Sequence, residues 1–318
     1  MLDLNGLIPA TVLPLTSDAQ IDEPALRSYI RWLLGFEGLK ALAANMDTGE
    51  GPHLSRDEKR RVLEIYVEEC AAAGGGRMPV LAGIGGPYTA AACELARDAE
   101  RAGASGIVVF PIPAFAGEPL APDVPYEYHR AIAGACGLPM VLFQLQPALA
   151  GVLFSRETLL RLIEIPTVVA IKEATFDAVK FVETRRILDE APRRITFLTG
   201  NDNFILESFV LGCAGALIGF GTIAIAEQVE MFRLVAEGDI AGARAINDAV
   251  VQPLADALFS PPVRNYRARM KEALRQLGVL QNTAMRPPLL PLDAAEVAAV
   301  TRALANVTLQ PSRTPIPA

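Results

Sequence analysis

Apolar runs of strand length alternate eight times with segments of helical period over the first 238 residues. Strands joined through helices pair in parallel, and a parallel sheet needs both faces covered. The candidate strands are Leu7–Leu15, Leu39–Ala44, Pro79–Gly83, Gly106–Phe110, Met140–Leu145, Val168–Glu173, Ile195–Thr199 and Ala214–Ile218. The helices that follow them are Asp22–Phe36, Ser55–Ala73, Thr89–Ala102, Asp123–Ala135, Ser155–Ile163, Asp177–Asp189, Asn203–Leu211 and Ile225–Ala236. Start and stop signals support several of these: Asp22 ahead of Pro24, Ser55 in capping-box spacing with Glu58, Ser155, Gly103, and the run Gly74-Gly75-Gly76. The pattern predicts an α/β fold, a (β/α)8 TIM barrel over residues 1–238, close to the usual size of about 250 residues. Residues 239–308 read as a C-terminal helical extension of three helices, Ile240–Phe259, Val263–Leu277 and Asp293–Ala305. The proline-rich stretch 309–318 is expected to be a disordered tail.

In such a barrel the chemistry sits at the C-terminal ends of the strands. Lys172 closes the sixth strand, within Thr167-Val-Val-Ala-Ile-Lys-Glu-Ala174. Ala170 and Lys172 share one face of that strand, Val169 and Ile171 the other. Burial disfavours a charged lysine and makes the neutral amine available, as a Schiff-base nucleophile requires. On its own, the segment also fits a lysine that snorkels to solvent or pairs with a carboxylate. At the same end of the barrel come Asp47-Thr48-Gly49-Glu50, Gly83-Ile84-Gly85, Pro111-Ile112-Pro113, Phe143-Gln144, Gly200-Asn201-Asp202 and Gly219-Phe220-Gly221. Glu173 points to the opposite strand face and reads as structural.

Composition removes several alternatives. The chain is 51% hydrophobic and carries a net charge of −7 with no basic patch, which speaks against nucleic acid or an anionic membrane as partner. No stretch reaches the ~18 uninterrupted apolar residues of a membrane span. Two histidines and four scattered cysteines do not make a metal site, and no organic cofactor is expected, because a Schiff-base lysine itself supplies the electron sink. The cysteines read as reduced, buried small hydrophobes. The N-terminus has no basic n-region, and a cytoplasmic location is the expectation.

In their order these segments resemble the dihydrodipicolinate synthase / N-acetylneuraminate lyase family of class I aldolases, from Gly6 to about Leu304. The resemblance is carried by Asp47-Thr-Gly-Glu50, Leu54-Ser-Arg-Asp-Glu-Lys59, Ala82-Gly-Ile-Gly85, Ala170-Ile-Lys-Glu173, Thr199-Gly-Asn-Asp202 and Gly212-Cys-Ala-Gly-Ala216. It implies that Lys172 forms an imine with a 2-oxo acid such as pyruvate, that Thr48 and Gly49 hold the substrate carboxylate, and that Gly200 and Ile218 line the imine pocket. It also implies a homo-oligomer, dimer or tetramer. An iminium at C2 is an electron sink, so C3 can lose a proton or a carbon fragment.

Three departures from the family pattern stand out. The strand-5 tyrosine that moves protons in the family falls on Phe143, its tyrosine pair after strand 4 on Ile112 and Pro113, and the first threonine of its pair on Asp47. The arginine often found after strand 5 falls on Leu149. These changes speak against strict dihydrodipicolinate (4-hydroxy-tetrahydrodipicolinate) synthesis, and the apolar mouth points to a less polar partner for the 2-oxo acid. Asp47, beside the lysine, is the candidate replacement acid or base. Catalytic roles are therefore expected for Lys172 and Asp47, and substrate contacts for Thr48, Gly49, Phe143, Gly200 and Ile218. Asn201 and Asp202 read as caps of the seventh helix or as substrate contacts. The competing expectation is a barrel without the relay tyrosines that binds a 2-oxo acid and does no chemistry.

Overall fold

The computed structural model describes residues 2–72, 78–117 and 119–314. Eight short strands alternate with eight helices: β1 (Leu7–Pro9), α1 (Glu23–Leu34), β2 (Leu42–Ala44), α2 (Arg56–Ala72), β3 (Val80–Ile84), α3 (Thr89–Ala102), β4 (Gly106–Val109) and α4 (Asp123–Ala135), then β5 (Met140–Leu145), α5 (Arg156–Ile163), β6 (Val168–Ala174), α6 (Ala178–Asp189), β7 (Thr196–Thr199), α7 (Ile205–Val210), β8 (Gly215–Ile218) and α8 (Ile225–Glu237). All ladders are parallel, in the order β1-β8-β7-β6-β5-β4-β3-β2. Parallel bridges Leu7–Leu39 and Ala10–Ala43 bring the two end strands together, so that the barrel is nearly closed.

Strand alternation separates two cores. Ile8, Ala43, Leu81, Val108, Val141, Ala170, Leu198 and Leu217 point inward and fill the barrel. The intervening residues, such as Leu7, Leu42, Ile107, Leu142, Ile171 and Ile218, pack outward against the helices. Lys172 follows Ala170 on the inward face and pairs in register with Phe143 on β5 and Leu198 on β7.

The caps read from sequence form as expected. Asp22 accepts from the Ala25 N–H at 3.0 Å and Ser155 from Thr158 at 3.2 Å. Ser55 and Glu58 make both hydrogen bonds of a capping box. The Gly74-Gly75-Gly76 stop lies outside the described residues. β1 ends at Pro9, because the apolar run to Leu15 continues as a buried connection and not as strand.

The extension holds α9 (Ile240–Ile246), α10 (Gln252–Leu258), α11 (Tyr266–Gln276) and α12 (Ala294–Ala305). The single helix expected over Ile240–Phe259 is interrupted by a π-turn, Asn247–Val251. Pro253 opens α10; having no N–H, it cannot continue the i→i−4 ladder, and the wider turn absorbs the mismatch. The tail is not free over its described part. Gln310 N donates to Glu227 Oε1 at 2.7 Å, and Ser312 Oγ to the Trp32 carbonyl at 2.7 Å. In 309–314, polar groups of the segment thus have partners on α1 and α8. Residues 315–318 lie outside the described part.

Candidate active site

The β6 register carries Lys172 into a small cavity at the C-terminal mouth of the barrel. Ala170 below it and Ala174 above it are small, so the long side chain rises through the interior without a clash. Its Nζ lies 4.1 Å from the centroid of the Phe143 ring. Burial pulls the ammonium pKa down to about 8, although Asp202 and then Asp47 act in the opposite direction. At pH 7 roughly a tenth of the amine is therefore unprotonated, far more than for an ordinary lysine.

Asp202 is the second buried titratable group on this cavity. Burial raises its carboxyl to about 7, against the stabilising N–H of Phe220, which donates to Oδ1 at 2.8 Å, and the charge of Lys172. Its neighbour Asn201 serves as a brace. Asn201 Nδ2 donates to Glu173 Oε2 at 2.7 Å, and Oδ1 accepts from Phe176 N at 2.6 Å. Glu173 is thereby fixed on the outward face of β6, as strand alternation predicts.

The loop after β2 is clamped from the C-terminal extension. Tyr266, first residue of α11, donates its hydroxyl to Asp47 Oδ2 at 2.8 Å and lies 3.4 Å from Thr48 Oγ1. Arg267 pairs with the Asp47 carboxylate and donates from Nε to the Asp47 carbonyl at 2.8 Å. Burial and the Asp47 charge push the Tyr266 phenol well above its ordinary pKa. Sequence alone offers no local signal for either residue. They reach the β2 loop across 219 and 220 positions of chain.

Of the residues expected in the site, Lys172, Asp47, Thr48, Phe143 and Gly200 line the cavity together, as does Leu149. Two do not join them. Ile218 points outward into the layer between barrel and helices, since strand alternation turns Leu217 inward in its place. Gly49 uses its N–H in a turn to the Met46 carbonyl at 3.1 Å, so that donor is already engaged. Tyr88 is exposed, while Tyr128 and His129 pack with Phe115 and Phe154 away from the cavity. No sequence signal singles out Tyr266, and the sequence fits Asp202 to a cap or a substrate contact; both line the cavity.

The cavity volume is about 40 Å³, far below the roughly 300–1,000 Å³ of drug-sized sites. Leu145, Leu149, Phe259 and Val263 line its outer part. A wider depression of about 830 Å³ lies on the flank of α2 and α3 among Arg56, Asp98 and Arg101. Its charged groups are paired with one another and offer no nucleophile.

Two expected outcomes follow from this geometry. A Cβ on Gly200 would stand 2.6 Å from Lys172 Cε and 2.8 Å from Ala174 Cβ. Gly200→Ala is therefore expected to displace the amine and slow its attack on a carbonyl by roughly 100-fold. The overlap with Ala174 Cβ is expected to cost about 1–3 kcal/mol of stability as well, and an unchanged rate in the folded variant would show that Gly200 does not set the lysine position. The second outcome concerns pH. Because the Lys172 pKa is lowered, the reactive amine is the form above about pH 8. The initial rate of carbonyl adduct formation should rise about tenfold per pH unit below that value and level off above it. A midpoint near that of an ordinary lysine would contradict the burial argument.

Comparison with known proteins places this arrangement. The model of the dihydrodipicolinate synthetase family matches residues 3–307. A 4-hydroxy-tetrahydrodipicolinate synthase of Rhodopseudomonas palustris (strain BisA53) is 33% identical over 304 residues, 96% of this chain and 97% of that protein. Among solved structures, a dihydrodipicolinate synthase of Bacillus anthracis is similar at TM-score 0.85 and 25% identity, covering 97% of this chain and 100% of the other. A chloride-inhibited dihydrodipicolinate synthase of Acinetobacter baumannii, complexed with pyruvate, is similar at TM-score 0.82 and 27% identity, covering 96% and 99%. The chain belongs to the dihydrodipicolinate synthetase family.

Proposed function

We propose that this protein is a class I aldolase-type lyase in which Lys172 forms a Schiff base with a 2-oxo acid, pyruvate or a pyruvate-derived compound. The observation that carries the reading is a buried lysine of lowered pKa, held by β6 in the barrel-mouth cavity. The neutral amine attacks C2, the carbinolamine loses water, and the iminium withdraws electrons from C3. Thr48, which lines the cavity, is the assigned donor to the substrate carboxylate. Phe143 is assigned a packing role against the amine and the substrate.

Lys172 is the cationic residue among those lining the cavity, and the outer wall is apolar. A second carboxylate would have no partner there and would carry a desolvation cost of several kcal/mol. The electrophile we assign is accordingly an uncharged aldehyde or a leaving fragment of that kind. The reaction class is retro-aldol cleavage or loss of water, not strict 4-hydroxy-tetrahydrodipicolinate synthesis. A cytoplasmic homo-oligomer, dimer or tetramer, goes with this reading on the strength of the family resemblance.

The test is consumption of pyruvate with a panel of aldehydes, aliphatic, aromatic and carboxylate-bearing. Turnover is expected with uncharged aldehydes and to be at least about tenfold weaker with a carboxylate-bearing one. Pyruvate that binds and is never consumed would support a non-catalytic binding barrel instead.

A further inference from the structure

Imine chemistry at Lys172 needs a group that carries protons to and from the substrate, and the cavity offers few. The lysine nitrogen is engaged in the imine itself. Phe143, its neighbour across the β5–β6 ladder, has no exchangeable proton. Among the lining residues there remain Asp202, Thr48, Asp47 and Tyr266. An aliphatic hydroxyl such as Thr48 holds its proton too tightly to act alone, and Asp202 has Oδ1 occupied by the Phe220 N–H, which leaves its Oδ2 as the competing acceptor that an Asp202→Asn variant tests.

Tyr266 is held differently. Its ring stacks on Phe259 with centroids 5.0 Å apart and planes at 23°, and the Arg267 guanidinium carbon stands 5.0 Å from the ring centroid. Two contacts thus fix the ring, while the hydroxyl is 2.8 Å from Asp47 Oδ2 and 3.4 Å from Thr48 Oγ1. Gly219 leaves the space for this: a Cβ there would come within 2.9 Å of Thr48 Oγ1 and 3.3 Å of Tyr266 Cε2. The acceptor carboxylate is itself anchored by Arg267 through both side chain and main chain. Hydroxyl, carboxylate and guanidinium therefore form one fixed chain that ends in the cavity.

We propose that Tyr266 and Asp47 are the proton relay of this enzyme, Tyr266 exchanging the proton with the substrate and Asp47 storing it. The proposal rests on the Lys172 imine reading above. In the iminium, the C3–H bond breaks and its electron pair forms the C2–C3 double bond of the enamine. The C2–N π pair moves onto nitrogen. The released proton goes to the Tyr266 oxygen as the tyrosine's own proton passes to Asp47 Oδ2, leaving a neutral carboxylic acid. Run backwards, the same transfers protonate C3. In carbinolamine dehydration they deliver the proton with which the hydroxyl leaves as water. No oxidant, reductant or further reactant enters.

The test compares two readouts on the full-length protein with pyruvate as probe. One is the borohydride-trapped adduct, which reports the imine. The other is exchange of the pyruvate methyl protons in heavy water, followed by NMR, which reports the C3 proton transfer. Tyr266→Phe keeps the ring and its stacking, and is expected to lower exchange roughly 100-fold or more while the equilibrium adduct yield and pyruvate affinity hold. A merely structural role would lower both in parallel. Should the phenylalanine variant fail to fold, Asp47→Asn tests the same path and is expected to show the same split. Exchange at the parent rate in Tyr266→Phe overturns the proposal, as does loss of exchange in Asp202→Asn alone. Absence of any adduct in the parent protein removes the imine reading, and the relay with it. An adduct in the parent with unaltered exchange in Tyr266→Phe removes the relay only.

Discussion

Lys172→Ala is expected to abolish both the borohydride adduct and methyl-proton exchange of pyruvate, each by roughly a thousandfold or more. The size of the effect follows from the chemistry. Iminium formation needs a primary amine, and the other lysine side chains stand outside the lined cavity. The fold should survive. Removing a buried amine that burial already pushes toward neutrality relieves desolvation, and the small space left lies beside an existing cavity. The melting temperature is therefore expected to stay level or rise slightly. Lys172→Arg is expected to be equally inactive, because a guanidinium stays protonated and is not a nucleophile. A variant without the lysine that still exchanges pyruvate protons at the parent rate would show that the proton transfer does not pass through an imine on this residue.

The second large effect concerns stability. Glu50, in the loop after β2, and Lys271, on α11, form an ion pair whose side chains are both 0% exposed. Each partner makes one further hydrogen bond: Arg286 N donates to Glu50 Oε2 at 2.8 Å, and Lys271 Nζ donates to the Ala284 carbonyl at 2.8 Å. Glu50→Ala strips the partner from a fully buried ammonium. Losses of this kind cost about 3–5 kcal/mol, a fall in melting temperature of roughly 10 °C for a chain of this size. Activity should fall with it, since the same helix presents Tyr266 and Arg267 to Asp47. The combined change Glu50→Leu with Lys271→Met leaves no buried charge and is expected to recover most of the melting temperature. Activity need not return, because the loop loses its tether to Arg286. A Glu50→Ala melting temperature within about 2 °C of the parent would mean that the pair does not carry the clamp.

The residues behind these two predictions differ in how far the sequence reveals them. Lys172 is visible because its surroundings are local: a β-branched run sets the strand, period two sets the face, and the strand end sets the mouth. The capping box at Ser55, the eight-fold alternation and Asp47 are visible for the same reason. Lys271, Tyr266 and Arg267 are not. Their partners Glu50 and Asp47 lie more than 200 positions away, and a Tyr-Arg pair at a helix start carries no pattern that names a distant loop. Ile218 was assigned to the pocket by the resemblance, and a one-residue difference in strand phase turns it to the other face. The π-turn at Asn247–Val251 had only Pro253 as its trace, a residue compatible with either a helix start or a break.

The departures from the family pattern have a common physical sense. Hydroxyl groups are absent from the strand-4 and strand-5 positions at Ile112, Pro113 and Phe143, and the structure supplies a hydroxyl from the opposite side, on α11. Where the resemblance puts a threonine this chain has Asp47, and Arg267 and Tyr266 meet its carboxylate.

The measurement that bears most directly on this account is the peptide mass after incubation with pyruvate and borohydride. A reduced pyruvate adduct on the peptide containing Lys172, absent without pyruvate and absent from Lys172→Ala, is the result the account predicts. An adduct confined to other lysines, or none with pyruvate and larger 2-oxo acids, would contradict it.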